Sequence, residues 1–131
     1  MPGEGRRWRR GQGPGRGGGP RRVARFIEPA LLLLLREQPQ HGYTLVEELR
    51  RFGFQPELLD PSIVYRALRE LEQGGWALSE WDTAGSGPPR RIYRLTGEGE
   101  DHLRWWADDL RRTRAEIDHF LQLYAGGEAG T

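Results

Sequence analysis

The strongest apolar feature of the chain is Ala30 followed by five leucines at 31–35, with Glu28-Pro29 before them and Arg36-Glu37-Gln38-Pro39 after. Proline costs little in a first helical turn, where its missing N–H has no intrahelical partner to lose, and a later proline ends the helix. A largely buried helix is therefore expected over 25–38, stopping before Pro39. His41-Gly42-Tyr43-Thr44 reads as a short connection, and Thr44 and Glu47 have the spacing of a reciprocal N-terminal cap. Tyr43, Val46 and Leu49 then fit a second helix ending at Phe52-Gly53.

After an irregular stretch at 54–59, Asp60-Pro61 supplies a cap and a proline at the first helical position, so a third helix is expected over 61–73, closed by Gly74-Gly75. Residues 76–81 are rich in aromatics and 91–95 alternate, while 82–89 hold glycines, prolines and Asp82; two strands joined by a turn follow. Thr96 caps a fourth helix reaching about Tyr124, with Glu98, Glu100 and Asp101 near its positive end.

The third helix separates into two faces. Val64, Ala67, Leu68 and Leu71 recur at helical spacing and must pack inward, while Ser62, Tyr65, Arg66 and Arg69 repeat on another side. Alone, that side is an ordinary solvated face. Followed by a hairpin with a Gly-Ser-Gly-Pro-Pro tip and Arg90-Arg91 opening its return strand, it has the layout of a winged helix-turn-helix. There the recognition helix lies in the major groove, and arginines on the wing meet the phosphate backbone. Arg94 shares the strand parity of Arg90 and is a weaker candidate.

On the fourth helix Leu103, Trp106, Leu110, Thr113, Ile117, Phe120 and Tyr124 alternate spacings of three and four, a heptad seam interrupted by Thr113. Such a stripe either folds back on the first helix or pairs with a second copy, and some of both is expected. Adjacent Trp105 and Trp106 point about 100° apart on a helix, so Trp106 belongs to the seam and Trp105 to its edge. Together they are expected either to pack structurally or to form a slot for a small aromatic effector.

Composition narrows the function classes. With 131 residues, 36% of them hydrophobic, the chain supports one modest core. It lacks cysteine, which removes disulfides, thiolate nucleophiles and sulfur-ligated zinc. His41, His102 and His119 are too scattered to suggest a metal site, no nucleophile has a base at useful spacing, and no glycine loop suits a nucleotide. No catalytic residue, cofactor or metal is expected. No apolar run approaches membrane-spanning length, and the basic N-terminus leads into glycine and proline, so a cytoplasmic protein is expected.

Net charge is +1, yet residues 1–25 hold eight arginines against Glu4, and the remainder carries net −6. All 20 basic residues are arginine, which favours bidentate contacts to phosphate and guanine but also follows from genomic base composition. The chain is expected to divide into a disordered Gly/Arg-rich arm over 1–22, a DNA-binding domain over 23–96, a dimerisation helix over 97–124 and a disordered tail over 125–131. The arm is read as either an electrostatic aid to DNA binding or an inert tail.

Four segments in order, His41-Gly42-Tyr43, the run at 63–72 leading to Gly75, Ser79-Glu80-Trp81, and the run at 89–96 with Gly99, resemble the PadR-type transcriptional regulators. The resemblance covers about 26–124 and implies a mainly α winged helix-turn-helix with a two-stranded wing and a long C-terminal dimerisation helix. It further implies a homodimeric repressor on double-stranded DNA, often answering a small aromatic or hydrophobic molecule. Two departures stand out: the arm lies outside the family's core, and Ile92 occupies a position where an aromatic is common. The expected DNA-binding residues are Ser62, Tyr65, Arg66, Arg69, Arg90 and Arg91. The expected interface is Leu103, Trp106, Leu110, Ile117, Phe120 and Tyr124, with Trp105 and Trp106 for the effector. The other readings are an RNA-binding protein using the arm and a winged-helix protein-interaction module without DNA binding.

Overall fold

The computed structural model describes residues 14–54 and 59–130. The order is helix α1 (Pro14–Glu37), strand β1 (Gln40–His41), helix α2 (Gly42–Glu48) running into a 3-10 turn (Leu49–Phe52), helix α3 (Pro61–Gln73), strands β2 (Ala77–Asp82) and β3 (Arg90–Leu95), and helix α4 (Gly97–Gly130). This is the winged helix-turn-helix architecture with a long last helix.

The leucine run is buried because α1 has neighbours on every side. Ile27, Leu31, Leu32 and Leu34 are wholly shielded, since α1 packs against α3, α4, β3 and the 3-10 turn. A helix apolar all round belongs at the centre of a domain, and truncating one such leucine to alanine typically costs about 2–5 kcal/mol. The helix reaches back to Pro14 and so takes in residues 14–22, which composition alone assigns to an unstructured arm. Once a helical nucleus exists, each further residue adds one hydrogen bond for one residue ordered. Residues 1–13, the rest of that arm, lie outside the described part.

Two further details differ from the local pattern. The sheet has three strands, not two, in the order β1-β3-β2. Gln40 and His41, extended after Pro39, pair with Tyr93 and Ile92 on the hairpin's return strand, about fifty residues away, where no local periodicity reaches. Consequently α2 starts at Gly42 with His41 as its N-cap and no side-chain bond there, so Thr44 lies inside the helix and does not cap it. Gln40, buried, donates from Nε2 to the Leu34 carbonyl at 3.0 Å and closes the end of α1.

The remaining boundaries follow their signals. Asp60 Oδ1 accepts from the Ser62 amide at 2.9 Å with Pro61 at the first turn. Gly75 takes φ +81°, its amide donates to Glu72 O and the Trp76 amide to Leu71 O, both at 3.0 Å, a Schellman ending. Thr96 Oγ1 accepts from the Gly99 amide at 3.0 Å and starts α4. That helix runs on past Tyr124 through residues expected to form a loose tail.

Candidate nucleic-acid interface

Helix α3 sorts its side chains as an amphipathic helix must. Val64, Leu68 and Leu71 are fully buried, and Ser62, Tyr65, Arg66 and Arg69 are exposed. Among the described residues Arg66 and Arg69 have neither a carboxylate partner nor a side-chain hydrogen bond. Tyr65 is different: its ring lies over Gly42, where a Cβ would sit 2.5 Å from Tyr65 Cε1. Glycine at 42 is therefore what lets α3 close on the start of α2.

The hairpin places its two arginines on opposite faces, because side chains alternate along a strand. Arg90, exposed, donates from Nη1 to the Tyr43 hydroxyl at 2.7 Å, its guanidinium carbon 5.1 Å from the centre of that ring. Arg91, half-buried, shares the face of buried Tyr93; its Nε donates to Ser79 Oγ at 3.0 Å, and its guanidinium lies 4.7 Å from the Trp81 ring. Ser79 in turn donates to Glu72 of α3 at 2.6 Å, so Arg91 is wired to the back of the recognition helix while Arg90 faces outward. Arg94 is paired with Glu80 at 2.9 Å and is not a free cation.

The base of the wing is pinned electrostatically. His41 Nε2 and Asp82 Oδ2 lie 2.9 Å apart. The Ala84 amide and the His41 ring hold the Asp82 carboxyl below its ordinary value, which keeps it an acceptor for the loop's first turn. Burial, with Glu72 nearby, pushes the Tyr93 phenol up. Tyr43, His41 and Asp82 were invisible as site residues in the sequence because the pairing of β1 with β3 brings them together. The one local signal was the His-Gly-Tyr motif, whose glycine marks the close approach.

The last helix divides the expected seam. Leu103 is buried within the same chain, Trp106 donates from Nε1 to Glu28 Oε1 of α1 at 2.8 Å, and Leu110 is half-buried. Ile117, Phe120 and Tyr124 are each more than half exposed. A groove of about 370 Å³ between α1 and α4 is lined by Phe26, Leu33, Leu103, Trp106 and Leu110, with Arg36 at its edge. The two tryptophans part company here. Trp106 lines the groove, whereas Trp105 lies outside it, stacked parallel to His102 at 5.8 Å, with Trp76 on the imidazole's other neighbour contact at 3.7 Å.

Residues 31–105, more than half of the chain, match the model of the transcriptional regulator PadR-like family. The chain belongs to that family. Among solved structures, a PadR family transcription regulator of Clostridium difficile R20291 is 26% identical with a TM-score of 0.63, over 73% of this PadR-like chain and 98% of that one. The conserved protein TM0937, described as a potential transcriptional factor, is 38% identical with a TM-score of 0.64, over 74% and 85% of the two chains. Bacillus subtilis PadR, solved with operator DNA, shares the fold at 24% identity and a TM-score of 0.55, over 62% of this chain and 46% of that one. Among curated proteins, ADP-ribosylation factor-like protein 2 of Drosophila melanogaster is 30% identical over 90 residues, and the chain spans about half of its length. This PadR-like protein is thus a transcriptional regulator by family. No described helix is long and apolar enough to cross a membrane.

Proposed function

We propose that this PadR-like regulator is a cytoplasmic homodimeric repressor that occupies a pseudo-palindromic operator and is released by a small aromatic or hydrophobic effector. The observation that carries the DNA half of this reading is the pair of exposed guanidinium groups of Arg66 and Arg69 on α3, which have no carboxylate partner among the described residues. Ser62, Tyr65 and Arg66 occupy the N-terminal part of that helix, which in helix-turn-helix proteins faces the base edges. Arg69 and Arg90 then meet flanking phosphates, while Arg91 braces the wing against α3. Bacillus subtilis PadR, a protein of the same fold, has been solved with operator DNA, and this supports a DNA-bound role for the fold. The basic arm adds sequence-independent attraction.

Dimerisation is supported by Ile117, Phe120 and Tyr124, spaced as one face of α4 and left bare. Leu103, Trp106 and Leu110 then serve as the junction between that face and α1. The effector reading rests on the groove beside Trp106, whose volume lies within the usual range for small-molecule pockets; Trp105 is its neighbour, not its wall. Selection of bound genomic fragments by the purified protein tests the whole reading. A recovered palindrome with half-sites about 34–36 Å apart, or a multiple of that, is the expected result. Recovery of sequences without two-fold symmetry would refute the dimeric repressor.

A further inference from the structure

The side chain most committed to the wing, apart from the wing's own residues, is Tyr43. It sits in the first turn of α2, 48% exposed, and two contacts of its side chain, each backed by a contact of a neighbouring residue, fix where its hydroxyl points. Its backbone neighbour Gly42 lies against Tyr65 of α3. Its ring is stacked on His41 at 5.5 Å and 13°. His41 is itself held by Asp82, the cross-strand partner of Arg90. Arg90 finally closes the ring of contacts by donating to the Tyr43 oxygen.

We propose that Tyr43 is a DNA-backbone contact and a positioning residue, forming with Arg90 a two-donor clamp on a single phosphate. The donor count makes the clamp. The Tyr43 oxygen spends a lone pair on Arg90 Nη1, which leaves its own hydrogen free to donate. Arg90, with five N–H groups, spends one on the tyrosine. Both groups are at the surface, and among the described residues neither is in a salt bridge; the carboxylate of Asp82, across the strand from Arg90, acts on it only at longer range and is itself held by His41 and the Ala84 amide. A phosphate oxygen approaching the Arg90 fork therefore meets a neutral O–H donor next to a cationic one, with no direct ion pair of Arg90 to break among the described residues. Packing alone gives a poorer account of the bond, because a tyrosine placed only for packing buries its ring, and this ring remains half open to water. The stack on His41 and the cation–π contact fix the hydroxyl before DNA arrives, so the ordering cost is met in the free protein.

This inference rests on the DNA-binding reading above, and the test separates the two. The probe is a mixed-sequence duplex of about three helical turns at low salt, because a phosphate clamp acts on any sequence. Wild type, Tyr43→Phe, Arg90→Ala, Arg90→Lys and the Tyr43→Phe/Arg90→Ala double variant are titrated over a salt series, with thermal melting of each as the folding control. Tyr43→Phe keeps the ring and its stack and should weaken binding roughly fivefold with an unchanged melt. Arg90→Ala should weaken it about tenfold and reduce the salt slope by about one. Arg90→Lys, a point charge without the fork, should fall between wild type and alanine. The double variant should bind about as Arg90→Ala does, since a clamp with one jaw missing loses little by losing the other. Wild-type affinity for Tyr43→Phe, or losses that add in full, would overturn the clamp while leaving DNA binding standing. A wild-type protein without salt-sensitive binding would overturn both.

Discussion

On α3 the valine and leucines are covered and the guanidinium groups of Arg66 and Arg69 meet no carboxylate among the described residues; along α4 the relation reverses. Val64, Leu68 and Leu71 turn inward beneath exposed Arg66 and Arg69. On α4, Arg104, Arg111 and Arg112 each reach a carboxylate three residues earlier, Asp101, Asp108 and Asp109, while Ile117, Phe120 and Tyr124 are left to water. Pairs of this kind stabilise an exposed helix by only about 0.3–0.5 kcal/mol, but they remove the local field. The same residue type thus presents a cation to a partner in one region and a neutralised surface in the other. One face is suited to a polyanion and the other to apolar carbon, which in the proposed dimer a second copy of the same helix supplies.

The sharpest way to break this contrast is to put charge where α4 is bare. Phe120→Glu should leave the melt of the protomer nearly unchanged, because the residue is 64% exposed, yet convert the proposed dimer to monomer in sedimentation. Loss of two-point attachment should then lower operator affinity by roughly 100-fold or more. A monomer that retained full operator affinity would mean that α4 has no part in recognition.

Next in size is the reverse change on α3. Arg66→Ala should cost about 1–3 kcal/mol at one base-pair position and relax selectivity there, read from binding to single-base operator variants. Arg69→Ala should weaken all sequences alike. If both variants lost affinity evenly, α3 would be holding the backbone without reading bases.

How much of this contrast was legible beforehand depended on the range of the interactions. The α3 faces, the Asp60 cap, the Gly75 ending and the Thr96 cap are each set by residues within two helical turns of one another, so spacing displays them. The leucine run announced burial but not which elements supply it. Strand β1, and with it the Tyr43–Arg90 contact, depends on pairing with β3, and Arg90-Arg91 read as one basic pair until the strand set them on opposite faces. The apolar stripe on α4 likewise read as one seam. Its first half is spent on α1 and its second is not, a division that spacing within α4 does not display.

The smaller effects test whether paired charges really are neutral to function. Arg111→Ala breaks a largely exposed pair and should change stability by no more than about 0.5 kcal/mol, with DNA binding unaltered.

Asp82 gives the subtler contrast, since its partners belong to the wing. Its carboxyl is held below the ordinary value chiefly by the Ala84 amide and then by His41. A lowered folded-state value means that this group's contribution is complete above its unfolded value and disappears as pH falls through the lower folded one. Acid should therefore loosen the hairpin before it touches the leucine core. Trp81, exposed on β2 beside Arg91, provides a local fluorescence signal for that step. Asp82→Asn should flatten the acid limb of the Trp81 signal while the global melt near neutrality moves little. An acid response identical in the variant would show that the wing's base is held by the strand pairing alone.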